Sequence, residues 1–343
     1  MLNLNIDLIY ESYVFSVTFT AVATIALLFL LFFIAVRVLM FLDSRKKTVT
    51  ESENFIASLP KRTVKNESAN TRITLDDRIA AVPEVYTDKI QIGISSKKGT
   101  RKYQQDSVVA MDRKTMSDLQ FKKSIAILCD GMGGMEGGEL ASAVTAKTLY
   151  EDYCKANPSN IPSFFRNEVR KLDDIVSNLR DNNNRIMDSG STLVCAVVEN
   201  GMFNWLSVGD SRIYILRKNE MVQITTDHNY YYVLKNKVKE GVISAAEAEN
   251  DPRKEALISY IGIGKESEIG LNEKPFQLVD GDIILLCSDG LYKTLSDGEI
   301  AEIIFRYCGD VEKAAEELTE TAVTKKRKGQ DNTSVALIRY NNW

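Results

Sequence analysis

The sequence of 343 residues holds a single histidine, His228. No site needing two or three imidazoles can be built from it, which excludes zinc centres of the HExxH kind. Cysteine is scarce and scattered: five residues, at 129, 154, 195, 287 and 308, none in a CxxC pair. An odd, unclustered set supports neither a disulfide framework nor a thiolate zinc site. Excess positive charge is missing too. The 43 Lys and Arg stand against 47 Asp and Glu, a net charge of −4, so nothing global points to nucleic acid as a partner. With 44% apolar and 26% charged residues the chain is neither fibrous nor disordered throughout. A metal centre here must be made of carboxylates, which favours hard cations such as Mg²⁺, Mn²⁺ or Ca²⁺.

One long stretch lacks charge altogether. Residues 12–36 read SYVFSVTFTAVATIALLFLLFFIAV, and Val38–Leu42 continues the run past Arg37. At about 1.5 Å per residue such a helix crosses a bilayer of roughly 30 Å. A cleaved signal peptide would need a basic start and a shorter apolar core. The first thirteen residues instead contain Asp7 and Glu11 and no Lys or Arg. The expectation is a transmembrane helix over 14–42, after a short extracytoplasmic N-terminus, 1–13. Arg37, Arg45, Lys46 and Lys47 lie on its C-terminal side, which puts that side in the cytoplasm. Unpaired cysteines agree with a reducing compartment. Residues 43–87, rich in Ser, Thr, Asn and charge, read as a juxtamembrane linker. The predicted protein is thus a single-pass cell-membrane protein held in the lipid bilayer, its body, 88–343, in the cytoplasm.

Within the body, short β-branched runs are bounded by Gly, Asp and Asn: KIQIGIS, SIAILCDG, STLVCAVVENG, NWLSVGDSRIYIL, DIILLCSDG and TSVALIRY. Helical patterns lie between them at 136–155, 161–182, 297–307 and 311–324. Strands come in groups and helices in pairs. Strict alternation is absent, so an antiparallel α+β fold is expected rather than a doubly wound sheet.

Several aspartates end these runs or sit in turns: Asp106, Asp130, Asp210, Asp289 and Asp331. Asp-Gly alone is a common turn signal, and Asp280-Gly281 and Asp297-Gly298 are read as such. Asp130 and Asp289 differ because each closes a continuous apolar run, at the mouth of a buried sheet. Carboxylates converging there would repel each other unless cations were bound. Such cations could activate water at neutral pH.

The motifs Arg101-x-x-Gln-Gln-Asp106, Asp130-Gly-Met-Gly-Gly134, Gly190-Ser-Thr192, Gly209-Asp-Ser-Arg212, Thr226-Asp-His-Asn229, Ser288-Asp-Gly-Leu291 and Asp331-Asn-Thr-Ser334 follow in that order. Together they resemble the metal-dependent protein phosphatases, the type 2C serine/threonine family (PPM), over residues 88–341. The resemblance implies a four-layer αββα sandwich, two antiparallel sheets flanked by helix pairs. It implies two Mn²⁺ or Mg²⁺ ions at one end. Asp130 would bridge both, with help from the Gly131 carbonyl; Asp289 and Asp331 would hold one; Asp106 would act chiefly through water. Arg101 would grip the substrate phosphate, since a guanidinium matches its oxygens bidentately. Asp188 is the candidate for a third, weakly bound ion. The implied reaction is direct attack of metal-activated water on phosphoserine or phosphothreonine in phosphorylated protein substrates, without a phosphoenzyme.

Two positions depart from the family pattern. Gln104 stands where Asn is common, and Met132 replaces the His of many eukaryotic members, as in many bacterial ones. His228 belongs to a different motif and is read as structural, near the variable flap at 230–262. The bacterial-like variants suggest an opposing serine/threonine kinase. The rival reading is a membrane-tethered pseudophosphatase that binds phosphoproteins or partners without turnover.

Overall fold

The computed structural model describes residues 90–111, 123–133, 137–218, 220–264, 268–307, 309–326 and 328–341. The expected N-terminus 1–13, transmembrane helix 14–42 and linker 43–87 lie outside the described residues, as does Gly134. Among the described residues no helix is long and apolar enough to cross a membrane.

The strands are β1 (Ile90–Lys97), β2 (Asp106–Ala110), β3 (Lys123–Gly133), β4 (Ser189–Ser191), β5 (Leu193–Glu199), β6 (Met202–Val208), β7 (Arg212–Arg217), β8 (Glu220–Gln223), β9 (Gly270–Leu271), β10 (Phe276–Gln277), β11 (Ile283–Cys287) and β12 (Thr333–Tyr340). The helices are α1 (Gly137–Ala156), α2 (Ile161–Ser177), α3 (Tyr230–Lys239), α4 (Ala245–Asn250), α5 (Asp289–Tyr292), α6 (Asp297–Arg306) and α7 (Val311–Lys325). One sheet runs β1-β12-β11-β7-β8; the other runs β10-β6-β5-β3-β2, with β4 on β3 and β9 on β6. Every pairing is antiparallel.

The uninterrupted apolar runs follow from burial on both faces. Side chains alternate across a strand. In β3, Ala126 and Leu128 point between the sheets, where they meet Val194, Ile213, Leu286 and Ala336. Ile125, Ile127 and Cys129 point the other way, onto Leu149 of α1 and Phe165 and Leu172 of α2. On the far side, Leu285 and Leu337 pack on Ile300 and Ile304 of α6 and Leu318 of α7. Helix pair, sheet, sheet and helix pair therefore form four layers, the expected α+β arrangement. Helix starts are written in the sequence. Ser296 and Glu299 form a capping box for α6, and Asn160 caps α2 just before Pro162.

Two expectations need correction. The helix expected over 161–182 stops at Ser177, because Asn178 caps it and the chain turns back through Asn184 (φ 63) to bridge Arg180 with Ile186. The run NWLSVGDSRIYIL is two strands in different sheets. The chain leaves β6 at Gly209, in a left-handed conformation (φ 99), and enters the other sheet as β7. The described cysteines 129, 154, 195 and 287 are free, and all but Cys154 are buried.

Candidate active site

Each expected carboxylate stands where a core strand begins or ends. Asp106 opens β2 and faces Asp130 of β3 directly across the ladder. Asp289 opens α5 just after β11, and Asp331 lies just before β12. Since β11 and β12 are neighbours in one sheet and β2 and β3 in the other, the groups arrive from both layers. Ser288 ties the layers together, its hydroxyl donating to Asp106 Oδ2 at 2.8 Å while its oxygen accepts from the Ser334 N–H at 3.0 Å.

Backbone proximity is enforced by glycine. A Cβ at Gly131 would come within 2.0 Å of the Gly138 carbonyl oxygen and 2.6 Å of that of Gln105. A Cβ at Gly290 would meet the Asn332 carbonyl oxygen at 2.0 Å. Asp130 is fixed from the β4 side. Its N–H donates to Thr192 Oγ1 at 2.9 Å, and its carbonyl accepts from the Thr192 N–H at 2.8 Å. The loop carrying Arg101 is stapled by buried Asn332. Its Oδ1 accepts from the Gln105 N–H at 2.8 Å, and its Nδ2 donates to the carbonyls of Lys98 and Tyr103 at 2.8 and 3.0 Å. Gln104 still reaches the backbone beside the site, its Oε1 accepting from the Asp106 N–H at 3.1 Å.

Electrostatics mark the centre. Burial, followed by the charges of Asp106, Asp289, Asp210 and Asp331, pushes Asp130 well above the ordinary carboxylate range. Burial likewise pushes Asp106 up to about 7; hydrogen bonds from Ser334 and Ser288 oppose it, and Asp289 and Asp331 add to it. Two buried oxygens, Asp106 Oδ1 and Asp289 Oδ1, have no hydrogen-bond partner. Crowded like charges with unpartnered oxygens are what a bound cation relieves. The donor set is all oxygen, which suits hard cations. Among the described residues no three His, Cys, Asp or Glu groups converge tightly enough to enclose an ion by themselves.

Two cationic side chains already sit on these carboxylates. Arg101 Nη2 donates to Asp331 Oδ2 at 2.5 Å, from a guanidinium that is 59% exposed. Lys293 Nζ lies 2.8 Å from Asp289 Oδ2. Burial works against the Lys293 charge, but Asp289 and Asp210 outweigh it and raise its pKa.

The structure brings Arg101, Asp106, Asp130, Gly131, Asp289 and Asp331 to one end of the sandwich. Asp188 is exposed in the segment entering β4, with its carbonyl beside Gly133 of β3. Asp210 takes part as well. It is buried between β6 and β7, raised to about 6 by burial and then by Asp289, and reached by the Tyr292 hydroxyl. Its signal was legible, since it too closes an apolar strand. His228 lies at the base of the flap. Its Nδ1 accepts from the Gly209 N–H at 3.2 Å, and its carbonyl accepts from the Ile258 N–H. Helix α3, with Tyr231 and Tyr232, borders a cavity of about 350 Å³ whose wall includes Arg212 and Asp227.

Comparison with known proteins agrees with this geometry. The profile of the protein phosphatase 2C family matches residues 98–326. The serine/threonine phosphatase stp of Listeria welshimeri is 29% identical over 223 residues, 63% of this chain and 84% of that protein. The solved serine/threonine phosphatase of S. agalactiae superposes with a TM-score of 0.63 at 26% identity, covering 74% of this chain and 100% of that one. The catalytic domain of the phosphatase PstP, solved in complex with two manganese ions, has a TM-score of 0.57 at 27% identity and covers 74% of this chain and 99% of its own. With the carboxylate end of the sandwich, these likenesses place the chain in one family: it belongs to the protein phosphatase 2C (PPM) serine/threonine phosphatases.

Proposed function

We propose that this protein is a membrane-anchored, metal-dependent phosphatase that releases phosphate from phosphoserine and phosphothreonine in proteins. The observation that carries the metal reading is the convergence of Asp106, Asp130, Asp289 and Asp331 around two buried, unpartnered carboxylate oxygens. The manganese-bound relative supports the choice of cation. Asp130, the Gly131 carbonyl, Asp289 and Asp331 would hold two Mn²⁺ or Mg²⁺ ions, with Asp106 contributing through water. Bound there, the cations supply a water of lowered pKa and neutralise phosphate charge.

The remaining work falls to side chains of this chain. Arg101 leaves Asp331 and pairs bidentately with the substrate phosphate; its exposed guanidinium is free to swing. Asp106, anchored by Ser288, orients attacking water along one side. No imidazole serves as the acid, since His228 is committed to the flap base, so the leaving hydroxyl takes its proton from solvent. The helix α3 face, with its tyrosines and neighbouring cavity, receives chain flanking the phosphorylated residue.

The uncharged run 12–36 and the basic residues after it support anchoring in the cell membrane, with the body in the cytoplasm facing substrates of a serine/threonine kinase. Phosphate release from a phosphothreonine peptide by the full chain in detergent tests the chemistry. Turnover with Mn²⁺ that EDTA, Asp130→Asn and Asp289→Asn each abolish is expected. Turnover surviving both substitutions would refute the assigned centre. A chain lacking residues 1–42 that still sediments with membranes would refute the anchor.

A further inference from the structure

Lys293 caps the C-terminus of the one-turn helix α5 that Asp289 begins. Its ammonium stands 2.8 Å from Asp289 Oδ2, 3.8 Å from Asp210 Oδ2 and 3.4 Å from Glu255 Oε2. The first two carboxylates belong to the centre. Glu255 belongs to the flap, in the segment between α4 and the bridge that joins Leu257 to Asn229. One ammonium thus serves two carboxylates of the centre and one of the flap.

That arrangement has a direct electrostatic consequence. A dication arriving at Asp289 places like charge against Lys293, and the ammonium has another carboxylate within reach. We propose that Lys293 is a resident counter-ion of the centre, neutralising Asp289 and Asp210 until cations bind and then passing its ammonium to Glu255. The proposal rests on the metal-dependent reading of the site. It makes Lys293 a positioning residue that sets metal affinity and couples metal loading to the hold on the flap. Lys293 weakens cation binding, because the ion must displace it from Asp289. Glu255 strengthens cation binding, because it gives the displaced ammonium a partner.

The two residues therefore act in opposite directions, which a structural role would not produce. The test is Mn²⁺ titration of the metal-free full chain in detergent, with free Mn²⁺ read by electron paramagnetic resonance. Lys293→Met, which keeps the length of the stem, is expected to bind Mn²⁺ about fivefold more tightly, the effect of removing one partly screened charge a few ångströms away. Lys293→Gln is expected to shift the same way. Glu255→Gln is expected to bind about twofold more weakly, the smaller effect fitting its more exposed side chain. Wild-type protein that binds Mn²⁺ while both Lys293 variants match it, or bind more weakly, overturns the proposal alone. Tightening in the Lys293 variants without weakening in Glu255→Gln overturns the hand-over to the flap. Wild-type protein that takes up no Mn²⁺ overturns the metal reading of the centre, and the proposal with it.

Discussion

Asn332 is the residue whose replacement tests most directly how the active-site loop is held. It is buried, and its amide makes three hydrogen bonds, all to backbone of residues 98–105, the segment that bears Arg101. A net hydrogen bond is worth about 1 kcal/mol, and a buried group left unpaired costs about 1–3 kcal/mol. Lys98 is an exposed residue, where water can replace a lost bond, whereas Gln105 and Tyr103 are only half-exposed. Removing the amide should therefore destabilise the fold by about 2–4 kcal/mol. Two variants separate hydrogen bonding from packing. Asn332→Ala removes all three bonds and some volume. Asn332→Asp keeps the volume and the acceptor for Gln105 but turns a carboxylate oxygen toward two carbonyls. If the staple is what matters, both variants lose stability in urea denaturation followed by tryptophan fluorescence. Both should also lose about tenfold in kcat/KM on a phosphopeptide, since Arg101 is no longer held in place. An Asn332→Asp protein within about 0.5 kcal/mol of wild type, the usual spread of neutral surface changes, would refute the reasoning.

Much of this architecture was legible because burial writes directly into sequence. Runs such as SIAILCDG are apolar at every position since both faces of β3 are covered, by the second sheet and by α1 and α2. Helix starts were legible because caps are local. What escaped depended on contacts between distant residues. That the run across Gly209 changes sheets was hidden, because nothing in hydropathy marks the crossing. Asp210 was visible as a strand end, but its membership of the centre comes from its approach to Asp289 across the sandwich. Arg101 was legible as a phosphate contact through its motif and Lys293 carried no signal; only the fold places the two cations on Asp331 and Asp289.

Arg101→Ala should reduce kcat/KM on phosphopeptides about tenfold or more, mainly through KM, because a charge-assisted bond to phosphate is lost; an unchanged KM would remove Arg101 from phosphate binding. His228 gives a prediction about pH. Burial lowers its pKa below the ordinary value, against the opposing pull of Glu268 and Asp227. The folded protein therefore resists protonation there, and the neutral ring is the form whose Nδ1 accepts from Gly209. Below about pH 6.5, the ordinary histidine value, the unfolded chain binds a proton that the folded chain does not. Stability from this group is complete above that pH and falls as the pH drops toward the folded-state pKa, by at most about 1.4 kcal/mol per pH unit. Carboxylates also titrate in acid, so the comparison must be with a variant that shares them. His228→Asn retains an acceptor for the Gly209 N–H and cannot titrate. Between pH 6.5 and 5 the wild-type urea midpoint should fall more steeply than that of His228→Asn, with the two curves parallel at higher pH. Parallel curves throughout would mean that His228 gains its proton as easily folded as unfolded, and that the flap base does not depend on a neutral ring.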